Sequence, residues 1–456
     1  MVFNFFRQLR CGRFVGVGLS LGAALLSSGC QGSLPASLKA PESIQVAIAT
    51  GAGNDQVVRA GLKKLADQLA TEYMRVHPDA SLHIHFFSEG DLVESVRSRA
   101  SLGAGPDLMI SRTPLVVKLK REGLLGESAL SPAQLDPLRL QFLSRFRHGN
   151  AFRALPFLLQ PSLACYNRAR LPQPPTKLDQ LITLAADGLR VGLPLQADEL
   201  LWTASSFNAD RPLLRLFMAQ ERRPRRFSDL DADEVSHWLR WLYRANVQPT
   251  LQFVDTSDEL VQRLETKQLD WISCNANAIP RLRRSLGSNL GVSVLPGGAN
   301  GTPARPMPRL LLISFGRDST PSQRRLAESF ALFMLNDISQ NSLMQRAFGN
   351  MPVNRNVMVP VKDSPVLAAM EASLDSSTIP TLIEGVVLRQ RTEELRQLLK
   401  QNVYGEESPE QVMEKIQALA GATSQASRPG QGSVDPLTPI PSAAATPAAP
   451  SASRMP

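Results

Sequence analysis

The feature that most constrains the fold is a regular alternation of short apolar runs with longer amphipathic stretches, which begins near residue 43. Ile44–Ala49 and Leu82–Phe87 are rich in β-branched or aromatic residues, as strands are. Between them, from Gln56, apolar residues recur every three or four positions, which predicts a helix with one buried face. Leu108–Ile110 predicts a third strand, and Thr113-Pro114 the start of another helix. Strands that alternate with helices pair in parallel through right-handed crossovers, so we expect an α/β lobe.

The ends of these predicted strands indicate where a ligand would bind. In open sheets of this kind, ligands bind beyond the carboxyl ends of the strands. Those ends are 50–55, 88–91 and 111–113, and each carries a charged side chain that could reach a ligand. The candidates are Asp55, Glu89 and Arg112. The architecture by itself does not indicate what enters this mouth.

The first thirty residues have the pattern of an export signal. Three arginines precede Phe14–Leu26, an apolar or small-residue run of 13 residues, and Ser27-Ser28-Gly29-Cys30 follows. The last four residues resemble the bacterial lipobox, whose cysteine is diacylated and becomes the new N-terminus after cleavage. This resemblance implies a signal peptide at 1–29, lipidation of Cys30 and a tether at 30–42. The alternatives are an ordinary cleaved signal and a retained transmembrane anchor.

The remaining chain is long enough for two lobes. About 380 residues lie between the tether and 421–456, a tail rich in Ala, Ser, Thr and Pro that we expect to be disordered. The net charge is +9, and the basic cluster 222–226 is followed at once by the acidic stretch 229–234. Because no aromatic residues are interleaved with the basic ones, nucleic-acid binding is not expected. Cys165 and Cys274 lie in apolar runs and form either a disulfide or two buried thiols.

Short motifs follow one another along this region. They are Gly105-Pro106-Asp107-Leu108 with Leu119–Leu125, Ala154-Leu155-Pro156 with Leu163–Asn167, Pro174–Leu181, Gly291–Gly297, Gly349–Asn354 and Ser408–Val412. In this order they resemble the extracellular solute-binding proteins of the maltose-binding type. Two helices in the region carry start signals of their own, in which Thr176 precedes Asp179 and Thr320 precedes Pro321.

This resemblance implies a type 2 periplasmic-binding-protein fold, in which hinge strands join two α/β lobes around a cleft. The implied lobe 1 comprises 43–157 and 296–340, and lobe 2 comprises 158–295 and 341–420. Such proteins capture a solute, hand it to the permease of an ABC importer and do no chemistry. The sequence also lacks serine-hydrolase, zinc-protease and P-loop signatures. We therefore expect a lipid-anchored, extracytoplasmic, monomeric binding protein with no cofactor and no enzyme activity.

The resemblance also assigns candidate ligand-binding residues beyond the three strand ends. Those beside the predicted crossings between lobes are Gln160, Tyr166 and Gly297. Trp202 either stacks on a sugar ring or packs in the core. Asn275 and Asn277 lie in a segment that resembles the family's stacking segment, and Asn277 stands where a ring-stacking tryptophan is usual. Asn277 either donates hydrogen bonds to a polar ligand or shapes a loop.

The ligand class follows from these residues only in part. A small polar solute is expected, with a carbohydrate-like one preferred. Because Asn277 offers no aromatic face, two alternatives stay open: another polar solute, such as a polyol, polyamine or anion, and a degenerate binding lobe kept as a structural or sensory lipoprotein. His83 and His85 could ligate a metal, but no further ligand residue has suitable spacing, so we expect structural histidines and no metal.

Overall fold

The computed structural model describes residues 42–50, 56–148, 151–218, 227–378 and 386–426. The predicted signal peptide, Cys30, Asp55 and the chain from 427 onward lie outside the described residues. Within the described part, no helix combines the length and apolar character needed to cross a membrane.

The secondary structure follows the predicted alternation. In chain order the described strands are β1 (Glu42–Thr50), β2 (Ala80–Ser88), β3 (Leu108–Arg112), β4 (Leu125–Gly126), β5 (Arg147–His148), β6 (Ala151–Phe152), β7 (Ala154–Gln160), β8 (Ser162–Asn167), β9 (Val191–Pro194), β10 (Leu251–Val254), β11 (Trp271–Asn275), β12 (Leu290–Ser293), β13 (Arg309–Gly316) and β14 (Met351–Pro352). The described α-helices are α1 (Gln56–Val76), α2 (Leu92–Ala100), α3 (Thr113–Arg121), α4 (Leu140–Leu143), α5 (Asp179–Ala186), α6 (Ala197–Ser205), α7 (Asp210–Met218), α8 (Asp229–Asn246), α9 (Ser257–Glu265), α10 (Ile279–Leu286), α11 (Pro321–Leu335), α12 (Asp337–Arg346), α13 (Pro365–Ser376), α14 (Val386–Val403) and α15 (Pro409–Ala426).

Sheet 1 has the strand order β14-β7-β13-β3-β1-β2, with β4 beside β13. The strand β1 pairs in parallel with both β2 and β3, as the alternation predicts. The later strand β13 inserts between β3 and β7 and is antiparallel to both. Since Ile48 lies opposite Ile110 and side chains alternate along a strand, Ile48, Ile110 and Arg112 share one face of this sheet.

Sheet 2 has the strand order β10-β9-β11-β8-β12, and all five strands come from the continuous stretch 162–293. Its strands β8 and β11 are antiparallel and carry the disulfide Cys165–Cys274, whose Cα atoms are 5.8 Å apart. Both cysteines are buried. Of the two alternatives left open by the sequence, the structure therefore supports the disulfide.

The chain crosses between the sheets close to two predicted boundaries. It leaves sheet 1 at Gln160 and enters sheet 2 at Ser162, and it returns between Ser293 and Arg309. The third crossing comes later than the expected position at 341. Because α12 packs against α1 and α11, the chain stays with sheet 1 until β14 has paired with β7, and only then does α13 pack against β8 and β12. Lobe 1 below denotes sheet 1 with its packed helices, and lobe 2 denotes sheet 2 with its helices.

Of the two helix starts predicted from capping residues, one is capped as expected and the other is not. Thr320 forms a capping box with Gln323 at the start of α11, as expected. At α5 the N-cap residue is Leu178, and the Gln180 side chain instead accepts hydrogen bonds from the backbone N–H groups of Thr176 (2.8 Å) and Lys177 (2.9 Å). The longer glutamine side chain reaches back over the turn, so the predicted cap from Thr176 does not form.

Candidate functional site

A cavity of about 370 Å³ lies between the two lobes. Lobe 1 contributes Ile48, Arg112 and Gln160 to its lining, and lobe 2 contributes Asp258 and Asn277. The parallel strands β1 and β3 approach it with their carboxyl ends, so the cavity lies where the strand order places a mouth. Its volume is in the range of sites for small ligands. We refer to this cavity and its rim as the cleft.

Two of the strand-end candidates meet at this cleft. The Arg112 guanidinium, after β3, donates through Nε and Nη2 to the two carboxylate oxygens of Glu89, after β2. Burial alone would lower the pKa of Arg112, but the hydrogen bonds and charge of Glu89 raise it above its ordinary value, and Glu199 and Asp198 add to the effect. Arg112 therefore stays charged, and acidic groups of lobe 2 contribute to its electrostatic environment.

Those acidic groups form a second polar cluster that sequence reasoning missed. Glu199 accepts hydrogen bonds from Arg309 at the start of β13 and from the Ser257 hydroxyl at the start of α9. Arg309 belongs to lobe 1 and Glu199 to lobe 2, so this ion pair joins the two lobes. The sequence did contain one signal for this cluster. Asp198 and Glu199 occupy the first turn of α6, directly after the carboxyl end of β9, where ligands of such sheets bind.

Asp198 has a different environment from its neighbour. Burial raises the pKa of Asp198, the negative charge of Glu199 raises it further, and Arg309 partly opposes both. Asp198 is nevertheless exposed to solvent. Ionising this carboxyl group therefore costs the folded state free energy.

Gln160 lies at the first crossing and faces the same region. It is opposite Arg309 in the pairing of β7 with β13, so the two side chains share a face. Gln160 is 8% exposed and donates through Nε2 to Asn350 Oδ1 at 2.9 Å. This amide pair fixes a polar corner of the cleft.

The two asparagines of the predicted stacking segment occupy different positions. Asn277 lines the cavity, whereas Asn275 is 6% exposed and its Oδ1 has no hydrogen-bond partner among the described residues. The backbone between them is held by a bond from the Ala276 N–H to the Pro161 carbonyl (2.9 Å), at the first crossing. Gly349, with φ of +97°, packs so tightly here that a Cβ would lie 2.4 Å from the Ala276 carbonyl oxygen.

Two aromatic candidates lie in the core of lobe 2 and not on the cleft wall. Trp202 is 2% exposed, with its ring 6.4 Å from that of Trp271, so the core alternative is the one that the structure supports. Tyr166 is 3% exposed and packs over Gly291, where a Cβ would lie 2.2 Å from its ring. In this arrangement neither ring offers a face to a solute, which favours the core alternative for Trp202 and does not support the expected ligand contact of Tyr166.

Gly297 also lies away from the cavity. It is on the return crossing, where its N–H donates to the Thr176 carbonyl (2.9 Å) and its carbonyl accepts from the Leu178 N–H (2.8 Å). A Cβ at this position would lie 2.1 Å from the Thr302 carbonyl oxygen. The structure therefore assigns this glycine to close backbone packing and not to the cleft.

The histidine pair has ordinary hydrogen-bond partners. His85 Nε2 lies 2.9 Å from Gln45 Oε1, and His83 Nε2 lies 3.4 Å from Ser81 Oγ. Among the residues that the structure describes, no group of three or more His, Cys, Asp or Glu side chains could hold a metal ion.

Comparison with known proteins gives one family and one fold. Residues 68–369 match the profile of the bacterial extracellular solute-binding proteins. Among solved structures, a cyclo/maltodextrin-binding protein complexed with maltotetraose is 15% identical, with a TM-score of 0.66, over 85% of this chain and 99% of that one. The GacH receptor of Streptomyces glaucescens, solved unliganded and with acarbose, is 16% identical, with a TM-score of 0.66, over 84% and 99%.

A third structure gives the same result. The maltose-binding periplasmic protein MalE from Listeria monocytogenes, in complex with maltose, is 14% identical, with a TM-score of 0.63, over 83% of this chain and 97% of that one. No curated protein matches the chain. At these identities the structural likeness is one of fold, and it confirms the two-lobed α/β architecture.

Proposed function

Because this chain belongs to the bacterial extracellular solute-binding proteins, we propose that it captures a small polar solute, with a carbohydrate-like one preferred, for an ABC importer. The observation that carries the proposal is the cavity of about 370 Å³ lined by both lobes. A solute held there contacts both lobes at once, so binding favours the arrangement in which they are close together.

The polar end of the cleft supports this role. The pairs Arg112–Glu89 and Arg309–Glu199 place groups of both signs beside the cavity, and Gln160 and Asn277 add amides. Such groups donate and accept hydrogen bonds from a polar solute in fixed directions. The carbohydrate preference is supported by the neighbours of similar fold, which were solved with maltotetraose, acarbose or maltose.

The chain's amino end supports a location on the outer side of a membrane. Cys30 would carry the lipid, and the tether to residue 42 would hold the two lobes within reach of a permease. Palmitate labelling of the full chain in a bacterial host tests this assignment, with Cys30→Ala as the control. Label on the wild type alone supports the anchor, and an unlabelled wild type refutes it.

A thermal-shift screen of residues 31–456 tests the binding function. The panel comprises maltose, maltotetraose, acarbose, sorbitol, spermidine and citrate. A ligand at 100 times its Kd stabilises by about 2.7 kcal/mol, so a binder gives a clear rise in Tm. A response to sugars supports the preferred class, a response to another class alone removes the carbohydrate preference, and no response to any solute refutes the binding function.

A pair of variants tests whether the cleft is the site. Glu199→Gln removes the charge that joins the lobes, and we expect it to weaken any binder from the screen at least tenfold. Glu410→Gln is the matched control, because Glu410 is an exposed residue that pairs with Arg240 on α8. Wild-type affinity in Glu199→Gln would show that the solute binds elsewhere.

A further inference from the structure

The cavity extends beyond its polar end into an apolar part that the proposed function does not use. The described residues that α1, β1 and β2 contribute to its lining are all apolar or glycine. They include Ile48, Gly61, Leu62, Leu65, Ile84 and Phe86. Because α1 lines this part on one side and sheet 1 on the other, we refer to it as the apolar arm.

The strand register shows where the apolar arm lies on sheet 1. Ile48 is opposite Ile110 on β3 and opposite Phe86 on β2, so the three side chains form a row on one face of the sheet. Arg112, at the polar end of the cavity, follows Ile110 by two residues and shares this face. Since neighbouring strands are about 4.8 Å apart, the row runs roughly 10 Å from β3 to the edge strand β2. The arm therefore leads from Arg112 towards the edge of the sheet.

The two halves of α1 differ in how closely they are packed. Tyr73 is 0% exposed, whereas Leu62 and Leu65, three and two turns earlier on the same apolar stripe, are only partly buried. Across the arm from them, Ile84 and Phe86 are also only partly buried. Protein interiors are close-packed, so apolar side chains that line an open space leave van der Waals contacts unmade. An apolar group of a ligand would supply those contacts.

A sugar without an apolar substituent does not suit the arm. Its hydroxyl groups would lose hydrogen bonds to water there and would meet only apolar side chains. The amides that can bind hydroxyl groups, those of Gln160, Asn277 and Asn350, line the cavity outside the arm. An alkyl chain in the arm loses only its contact with water, which favours its binding.

From this arrangement we propose that the captured solute is an amphiphile, in which a sugar-like polar portion carries an alkyl chain or a similar apolar group. The polar portion lies among Arg112, Gln160 and Asn277, and the apolar group lies in the arm between α1 and β2. The two portions thus occupy two ends of one cavity of about 370 Å³. This inference rests on the proposed function, because it names the class of solute that the same cleft takes.

A series of alkyl glucosides tests the inference by isothermal titration calorimetry, with each ligand kept below its critical micelle concentration. Methyl, butyl and hexyl β-D-glucoside share one polar portion and differ only in the length of the alkyl chain. Each methylene that enters the arm should tighten binding about three- to fourfold, so hexyl glucoside should bind at least thirtyfold more tightly than methyl glucoside. The heat-capacity change of binding should become more negative as the chain lengthens.

Two variants locate the alkyl chain in the arm. A Cβ at Gly61 would meet no described neighbouring atom within 4 Å, so the side chain of Gly61→Phe can occupy the arm and should bring hexyl glucoside down to the affinity of methyl glucoside. Leu62→Gln places an amide there and should weaken hexyl glucoside at least tenfold. Ala418→Phe is the matched control on α15, at an exposed position outside the cavity, and should leave both affinities unchanged. Melting curves check that each variant folds.

The possible failures are distinguishable. If hexyl glucoside binds no more tightly than methyl glucoside, or if Gly61→Phe keeps the gain from the longer chain, the inference is overturned while the binding function stands. If none of the three glucosides binds, the inference also fails, and the wider solute screen then decides the proposed function separately.

Discussion

The disulfide Cys165–Cys274 provides the sharpest test of how lobe 2 is held together. The two cysteines are 109 residues apart in sequence, and they join neighbouring strands of sheet 2. Closing a loop of that length removes entropy from the unfolded chain, and the chain-entropy relation gives about 4.8 kcal/mol at 25 °C. Replacing both residues by alanine also removes buried sulfur atoms, at a cost on the order of 1 kcal/mol each. We therefore expect Cys165→Ala/Cys274→Ala to lose between about 3 and 7 kcal/mol of unfolding free energy, with the lower end set by the usual loss on removing a native disulfide.

Urea unfolding with and without dithiothreitol measures this loss. With a slope of about 3 kcal/mol per molar, the midpoint of the double variant should fall by about 1 to 2 M. Reduction should shift the wild type by a similar amount and leave the variant unchanged, because the variant has no bond to reduce. If mass spectrometry shows fully reduced wild-type protein whose midpoint has not moved, the reasoning from loop closure is refuted.

Three further predictions concern single side chains. Asp198→Asn should raise Tm at pH 8 and have little effect near pH 3, because a raised folded pKa costs stability only above the unfolded value near 3.8; an equal effect at both pH values would contradict this. Asp270 is fully buried, and the hydrogen bonds from Arg190 outweigh the effect of burial and lower the pKa of this carboxyl group. Its contribution to folding stability is therefore present above the unfolded pKa near 3.8 and is lost as pH falls through the lowered, folded pKa. Asp270→Asn should therefore cost about 2 to 3 kcal/mol of unfolding free energy at pH 7, less than for a fully buried ion pair because Arg190 is partly exposed. Urea unfolding should show a smaller difference between variant and wild type at pH 3 than at pH 7. Gly349→Ala should cost about 2 kcal/mol or more, because a methyl group there meets the Ala276 carbonyl oxygen and φ is positive; a Tm within 1 °C of the wild type would show that the loop adjusts freely.

The parts of the fold that sequence could predict are those set by local pattern. The parallel pairing of β1, β2 and β3 follows from alternation alone, and the strand-end rule selected Glu89 and Arg112, which the structure brings together as an ion pair. The third crossing could not be placed, because nothing near residue 341 marks that α12 packs back on lobe 1. Such packing depends on residues far apart in the chain.

The helix α6 shows why the candidate site was predicted only in part. Every residue from Leu200 to Ser205 is buried, so periodicity distinguishes no outer face, and Trp202 could not be assigned to core or surface. Its first turn contains the acidic pair at 198 and 199, but the partner Arg309 is 110 residues away. A cross-lobe ion pair of this kind becomes visible only when both lobes are assembled.

The insertion of β13 into sheet 1 has a consequence for the order in which the two sheets can form during synthesis. Sheet 2 uses one continuous stretch, 162–293, whereas sheet 1 lacks its middle strand until Arg309–Gly316 has been made. At about 5 to 20 residues per second, roughly 200 residues after β3 take on the order of 10 to 40 s to appear. During that time the edge of β3 that will pair with β13 has no neighbour in sheet 1, and it is open to pairing with another chain. The sheet that begins first along the chain is thus the last to be completed, and it is the one that a chaperone would need to shield.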